Sequence, residues 1–263
     1  MKKYKYIIAI SIIGCVCGIL IISKRLYDYY SWAEERPTNY HISRIQADDT
    51  LRVIMIGDSW AAYHHDNDTL LSTMLQKKTH KSVHVISSGM VGAKTKAIYE
   101  LTFDTLSSRG TQRLIATRPD YCIISAGIND AIAKMEPRNY CYHYGLIIKK
   151  LISAGITPVI IDMPDVGYYS AYKREPLLMR IRHRLSCLIN KTDMWRFEDY
   201  RNALNGYITE KQLANQIIYI TADSWNQEGF KDKRQLYLSD DIHLNKEGYF
   251  LLDSCIAERI PIH

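Results

Sequence analysis

The stretch Ile54-Met55-Ile56-Gly57-Asp58-Ser59-Trp60 decides how the chain is read. An apolar, β-type run from Leu51 to Ile56 stops at Gly57, a polar pair follows, and helix-forming residues resume after it. The pattern predicts a strand-to-helix turn carrying the Ser59 hydroxyl. In an open α/β sheet, the turns after the carboxyl ends of the strands form the ligand crevice, and a helix start offers free backbone N–H groups to developing negative charge. Gly-Asp-Ser is also an ordinary capped turn, so the meaning of the stretch depends on what accompanies it.

Downstream, strand and helix patterns alternate. Apolar runs at 51–56, 83–87, 121–125, 158–161 and 217–220 read as strands. Helical spacing marks segments at about 69–79 and 95–108 and a helix carrying Tyr140, Tyr144, Ile147, Ile148, Leu151 and Ile152. A further helix bears the stripe Leu177, Leu178, Ile181, Leu185, Leu188 and Ile189, and a last one begins near Asn245. This βαβα alternation predicts an α/β domain with a largely parallel sheet. Arg174, Arg180, Arg182 and Arg184 lie off the 177–189 stripe and read first as a solvated face, second as an anion-binding patch.

Ahead of the domain, Tyr6 to Ile22 is uncharged, with Lys2, Lys3 and Lys5 before it and Lys24 and Arg25 after it. As a helix it spans about 26 Å against a hydrocarbon core about 30 Å thick, and Tyr4 and the flanking lysines extend it by snorkelling. No small-x-small cleavage site follows, so the run reads as an uncleaved anchor over 1–25 with a cleaved leader as the alternative. Lipoprotein processing at Cys15, within Ile12-Ile13-Gly14-Cys15, ranks second to the anchor, since the apolar run continues past Cys15. Residues 26–50 lack periodicity and read as a stalk, with the domain over 51–263. The expected placement is a cytoplasmic N-terminus and an exported, periplasmic or extracellular, domain.

The net charge is +6 and Lys and Arg are dispersed, which argues against a nucleic-acid partner. Tyrosine outnumbers phenylalanine by twenty to four, a bias suited to half-wet positions where a ring packs and a hydroxyl finds a partner. No CxxC metal spacing occurs, and Cys122, Cys141, Cys187 and Cys255 fall inside predicted elements, where buried free thiols are expected.

Four polar blocks follow strands or precede the last helix: Gly57-Asp58-Ser59, Ser88-Gly89-Met90-Val91-Gly92, Gly127-Ile128-Asn129-Asp130, and Asp240-Asp241-Ile242-His243. In a parallel sheet the strand-end loops open on one edge, so a nucleophile, backbone donors, an amide and an Asp/His pair can converge, the parts that acyl transfer needs. Asp58 reads as a turn brace and Asp130 as the opening of the following helix. Asp241 competes with Asp240 for His243. His64 and His65, with no partner in view, read as surface residues.

These four blocks, in this order over most of residues 51–260, resemble the SGNH (GDSL-type) hydrolase superfamily. The resemblance implies a three-layer α/β/α sandwich around a central, mostly parallel five-stranded sheet of the flavodoxin-like kind, to which the apolar run at 6–22 adds an N-terminal transmembrane helix. By motif position it implies Ser59 as nucleophile, His243 as general base and then acid, and Asp240 as its orienter. The oxyanion hole would comprise the Ser59 and Gly92 N–H groups and the Asn129 amide; Gly92 is preferred to Gly89 because Val91-Gly92-Ala93-Lys94-Thr95 is similar to the family's second block. Trp60 and Ala93 depart from the usual residues at their positions. The implied activity is a serine esterase needing no metal or cofactor, acting on short acyl, above all acetyl, esters of a small molecule or cell-surface glycan. Trp60 and a tyrosine-rich loop after the fourth strand, Gly167-Tyr168-Tyr169-Ser170-Ala171-Tyr172, are candidates for substrate contact through Trp60, Tyr168, Tyr169 and Tyr172. The same triad run as a sugar O-acetyltransferase, a lipid-directed esterase, and an inactive scaffold or glycan-binding module stand as alternatives.

Overall fold

The computed structural model describes residues 2–33, 49–102, 110–194, 196–226, 230 and 233–261. Five strands, β1 (Thr50–Gly57), β2 (Ser82–Gly89), β3 (Tyr121–Ser125), β4 (Thr157–Ile161) and β5 (Ile218–Ile220), form one sheet in the order β2-β1-β3-β4-β5. Every pairing is parallel. β3 is buried along its length and β1 from Val53 onward, the continuous apolar pattern expected of strands covered on both faces.

The helices are α1 (Lys2–Ser31), α2 (Ser59–His64), α3 (Asp68–Thr79), α4 (Thr95–Leu101), α5 (Gln112–Ala116), α6 (Ile128–Ile132) and α7 (Pro137–Ser153). They continue with α8 (Tyr168–Arg174), α9 (Leu177–Asn190), α10 (Glu198–Glu210), α11 (Asp223–Asn226) and α12 (Lys246–Arg259). α3 packs with α12, and α7 packs with α4 and α10, so the sheet carries helices on both sides. The β1–β2 and β1–β3 pairings place the end of β1 where the chain's winding direction reverses, the position at which open α/β sheets present a crevice.

The predicted strands and main helices are present with small shifts at their ends. Of the helix expected at 95–108, residues 103–108 lie outside the described part, as do residues 34–48 of the expected stalk. α10 had no distinct sequence signal: its buried residues, Tyr200, Leu204 and Ile208, are sparse among polar ones. The segment expected as a tyrosine loop is helical, α8.

Tyr4–Leu26, within α1, is long and apolar enough to cross a bilayer. Just beyond α1 the chain docks on α7. Ala33 N–H donates to His143 Nε2 at 2.9 Å, Tyr142 donates its hydroxyl to the Ala33 carbonyl at 3.2 Å, and the Trp32 ring meets Tyr142 edge-on at 5.0 Å. Burial pulls the His143 pKa down to about 4, so the ring is neutral at pH 7 and free to accept from Ala33.

Two helices differ from expectation. The stripe on α9 points outward: Leu177, Leu178, Ile181, Leu185 and Leu188 are exposed, while His183 and Asn190 are buried. Asn190 donates to the Lys134 carbonyl at 2.7 Å, and the His183 ring lies against those of Tyr168 and Tyr172. Periodicity identified the stripe but not its direction, because the polar residues opposite it find specific partners inside. Asp130, in turn, lies in the first turn of α6 but does not cap it, since Gly127 is the N-cap, and it is fully buried. All six cysteines are free; Cys122 and Cys141 are buried and Cys187 and Cys255 partly so.

Candidate active site

The turn after β1 is built by its own residues. Asp58 caps α2, its Oδ1 accepting the Trp60 N–H at 3.0 Å and the Ser125 hydroxyl at 3.2 Å. Burial raises the Asp58 pKa to about 7, against the opposing effect of those two donors. Gly89 at the end of β2 explains how the turn fits so tightly, since a Cβ there would stand 2.1 Å from the Asp58 carbonyl oxygen and 2.4 Å from Ala62 N. Its lack of a side chain serves packing of α2 on the sheet.

Ser59, thus held at the first position of α2, meets a residue 184 positions away. His243 Nε2 lies 2.9 Å from Ser59 Oγ, and His243 Nδ1 lies 2.6 Å from Asp240 Oδ2. Asp240 Oδ1 accepts the backbone N–H groups of Ile242 (2.9 Å) and His243 (3.0 Å). Partial burial acts to raise the Asp240 pKa, but the bonds from His243 and these two N–H groups outweigh it and hold the carboxyl below its ordinary range. An ionised carboxylate only accepts, so Nδ1 carries the proton and Nε2 presents its lone pair to the serine hydroxyl.

Asp241 does something else. It is buried, its Oδ1 pairs with Arg234 Nε at 3.0 Å, and its carbonyl accepts the Gly167 N–H at 2.7 Å. It braces the loop while Asp240 touches the imidazole. Arg174 donates to the Asp240 carbonyl at 3.1 Å, and the Tyr63 ring stands edge-on to the imidazole at 5.0 Å. Neither contact was visible in the sequence, since each joins segments far apart in the chain.

Asn129 sits in the first turn of α6. Its Nδ2 donates to the Ala93 carbonyl at 3.1 Å and lies 3.4 Å from Asp58 Oδ2. Buried Asp130 ties the same helix to the second block, Oδ2 accepting the Thr95 N–H at 2.9 Å and the Thr95 hydroxyl at 2.8 Å. Gly92 occupies the left-handed region at φ +77° in the turn closed by Ala93 N–H to the Met90 carbonyl at 3.0 Å. With Ala93 and Lys94 it lines a cavity of about 530 Å³, whose other walls include Ser23 of α1 and Arg182 and Asn190 of α9. The second and third blocks are therefore joined to one another and to Asp58.

The aromatic candidates for substrate contact are largely internal. Trp60 is buried, its indole N–H donating to the Ile242 carbonyl at 3.2 Å and its own carbonyl accepting the Tyr249 hydroxyl at 2.9 Å. Tyr168 and Tyr172 are also buried, and the Lys134 ammonium lies over the Tyr168 ring at 4.2 Å. Little of these three rings reaches the surface: Trp60 and Tyr168 are 1% exposed and Tyr172 7%. Tyr169 is exposed, with Lys173 over its ring at 4.3 Å.

His64 corrects the surface expectation, whereas His65 is exposed. His64 is fully buried; Nε2 lies 2.8 Å from Asp253 Oδ1, and Nδ1 lies 2.8 Å from Ser87 Oγ and 3.1 Å from Asp68 Oδ1. Only the His64/Asp68 spacing of four, one helical turn, hinted at this. Burial disfavours the charged ring, but the two carboxylates prevail and raise its pKa to about 9. A raised folded-state pKa gives stability that is full below the unfolded value near 6.5 and fades as pH rises through about 9. We expect His64→Ala to destabilise the domain by about 3 kcal/mol by leaving buried carboxylates unpaired. In urea unfolding, the gap between wild type and variant should narrow from pH 6.5 to 9.5; a constant gap would mean that His64 is held neutral.

The GDSL-like Lipase/Acylhydrolase family matches residues 55–251. No curated protein matches the chain in sequence. Among solved structures, the lipase/acylhydrolase from Enterococcus faecalis is similar at 16% identity and TM-score 0.57, covering 80% of this chain and 95% of its own. The acetyl xylan esterase AlAXEase is similar at 16% identity and TM-score 0.54, covering 80% and 100%. A variant of Axe2, an acetyl-xylooligosaccharide esterase from Geobacillus Stearmophilus, is similar at 13% identity and TM-score 0.54, covering 81% and 95%. These identities establish a shared fold, and the match over 55–251 takes in the strand-end turns and the His243 loop. The chain belongs to the GDSL-like lipase/acylhydrolase family of ester-bond hydrolases.

Proposed function

We propose that the protein is a serine esterase that removes short acyl groups, acetyl foremost, from a carbohydrate, with Ser59, His243 and Asp240 as its catalytic triad. The observation that carries this reading is the continuous hydrogen-bond chain from Ser59 Oγ through the imidazole to Asp240. His243 Nε2 takes the hydroxyl proton as Ser59 attacks the ester carbonyl, and Asp240 stabilises the imidazolium that forms. Collapse of the tetrahedral intermediate expels the sugar hydroxyl, protonated by His243. Water, activated by the same imidazole, then hydrolyses the acyl-serine to free acid.

The oxyanion is received by the Ser59 and Gly92 N–H groups and by Asn129. An amide has two N–H bonds. One is engaged by Ala93, and the other faces Asp58 at a long 3.4 Å, which a developing negative charge can outcompete. We expect Asn129→Ala to lower turnover roughly 100- to 1,000-fold with the fold retained. Turnover near that of wild type would remove Asn129 from the hole.

Acetyl esters of a glycan are favoured by the similarity in fold to the acetyl xylan and acetyl-xylooligosaccharide esterases. The length and composition of Tyr4–Leu26 support an anchor that holds the domain at a membrane. The test uses the full chain in detergent with a chromogenic acetyl ester and excess xylo-oligosaccharide. Free acetate is the expected product. Acetylated oligosaccharide would make the protein a transferase, and no turnover on any short acyl ester would leave a scaffold.

A further inference from the structure

We infer that the outward face of α9 is a docking surface for an anionic lipid bilayer, lying on the membrane in which α1 is anchored. The inference rests on the anchor reading of Tyr4–Leu26 and is independent of the catalytic assignment.

The helix is built inside out for a soluble protein. On a surface helix the apolar stripe normally faces the core and the polar residues face water. In α9, buried His183 and Asn190 form the inward face, and Leu177, Leu178, Ile181, Leu185 and Leu188 face out. Single exposed apolar residues are commonplace, but a contiguous patch marks an interaction surface. Outside α1, large exposed apolar side chains among the described residues are otherwise scattered: Tyr63, Val91, Tyr169, Leu238 and Phe250.

Charge and position select the occupant. At about 100° per residue, Arg180 and Arg184 flank the stripe on one side and Arg182 on the other. A leucine-rich face edged by arginines suits the interface of an anionic bilayer, where the apolar side chains enter the acyl boundary and the guanidinium groups meet phosphates. A second copy would bring the same arginines and repel. The end of the candidate span is also close by: Ser23 of α1 lines the same cavity as Arg182, Ser186 and Ile189 of α9. The contacts of Trp32 and Ala33 on α7 then pin the chain as it leaves α1. α9 is thereby held at the level where the span ends, which is where an interfacial helix must lie.

The experiment reconstitutes the full chain into phosphatidylcholine/phosphatidylglycerol vesicles whose acyl chains carry bromine, a short-range quencher of tryptophan. Leu178→Trp reports the face, Ile13→Trp reports the span, and Gln76→Trp, exposed on α3 and outside both α1 and α9, is the reference; wild-type emission is subtracted from each. We expect the added fluorescence at 178 to fall about two-fold in brominated against plain lipid, as for a side chain at the acyl boundary, with no change at 76. Quenching at 13 without quenching at 178 would overturn the docking while leaving the anchor intact, and quenching at neither position would overturn both. Protection of position 178 from iodide in detergent, together with crosslinked dimers, would assign the face to a second copy and also overturn the proposal.

Discussion

Replacing Ser59 with alanine is expected to reduce turnover of a chromogenic acetyl ester by about 10⁶-fold, the scale seen when a triad nucleophile is removed. The size follows from what remains. Without Oγ there is no atom to carry the acyl group, and His243 and Asp240 have nothing to deprotonate, so the three residues fail as a unit rather than by thirds. Residual rate would come from binding and the oxyanion donors alone. The substitution is mild for the fold, because the hydroxyl's partner is the His243 ring and Asp58, not Ser59, caps α2. Thermal unfolding should therefore change little. Turnover within about 100-fold of wild type, with unfolding unchanged, would place the nucleophile elsewhere.

Asp240→Asn should cost on the order of 10³- to 10⁴-fold in turnover. Asparagine keeps the shape, but its amide can face Nδ1 with an N–H, which favours the tautomer with the proton on Nε2 and turns the ring's lone pair away from Ser59. Asp240 is 44% exposed at its side chain, so hydration softens the effect relative to a buried carboxylate. Asp241→Asn is the matched comparison. It loses the pairing to Arg234 but leaves the Nδ1 contact intact, and its cost should fall on stability. A larger catalytic loss in Asp241→Asn than in Asp240→Asn, in steady-state kinetics on folded protein, would reverse the assignment.

The sequence was most legible where function and fold share short segments. Val53–Ile56 of β1 and Tyr121–Ile124 of β3 are continuous apolar runs bounded by polar residues or glycine, so both strands and the turns after them could be placed. The Asp240-x-x-His243 spacing lies within one loop, and its resemblance to the family's motif is what favoured Asp240 over Asp241. Residues whose roles depend on distant partners were hidden. His64 looked superficial because Asp253 is 189 positions away, and the direction of α9 depended on Lys134, Tyr168 and Tyr172 waiting inside. Tyr168 and Tyr172 read as a wet recognition loop because composition cannot distinguish a ring that meets ligand from one that packs against His183 and Phe197.

The bond from the Trp60 indole to the Ile242 carbonyl, backed by the Tyr249 hydroxyl on the Trp60 carbonyl, joins the residue after Ser59 to the residue before His243. Alignment of Ser59 with His243 is thus a property of the folded chain and does not wait for an ester to bring the two together. If the two react as proposed, the entropy lost in ordering them belongs to folding, once per molecule, and is not incurred again at each turnover.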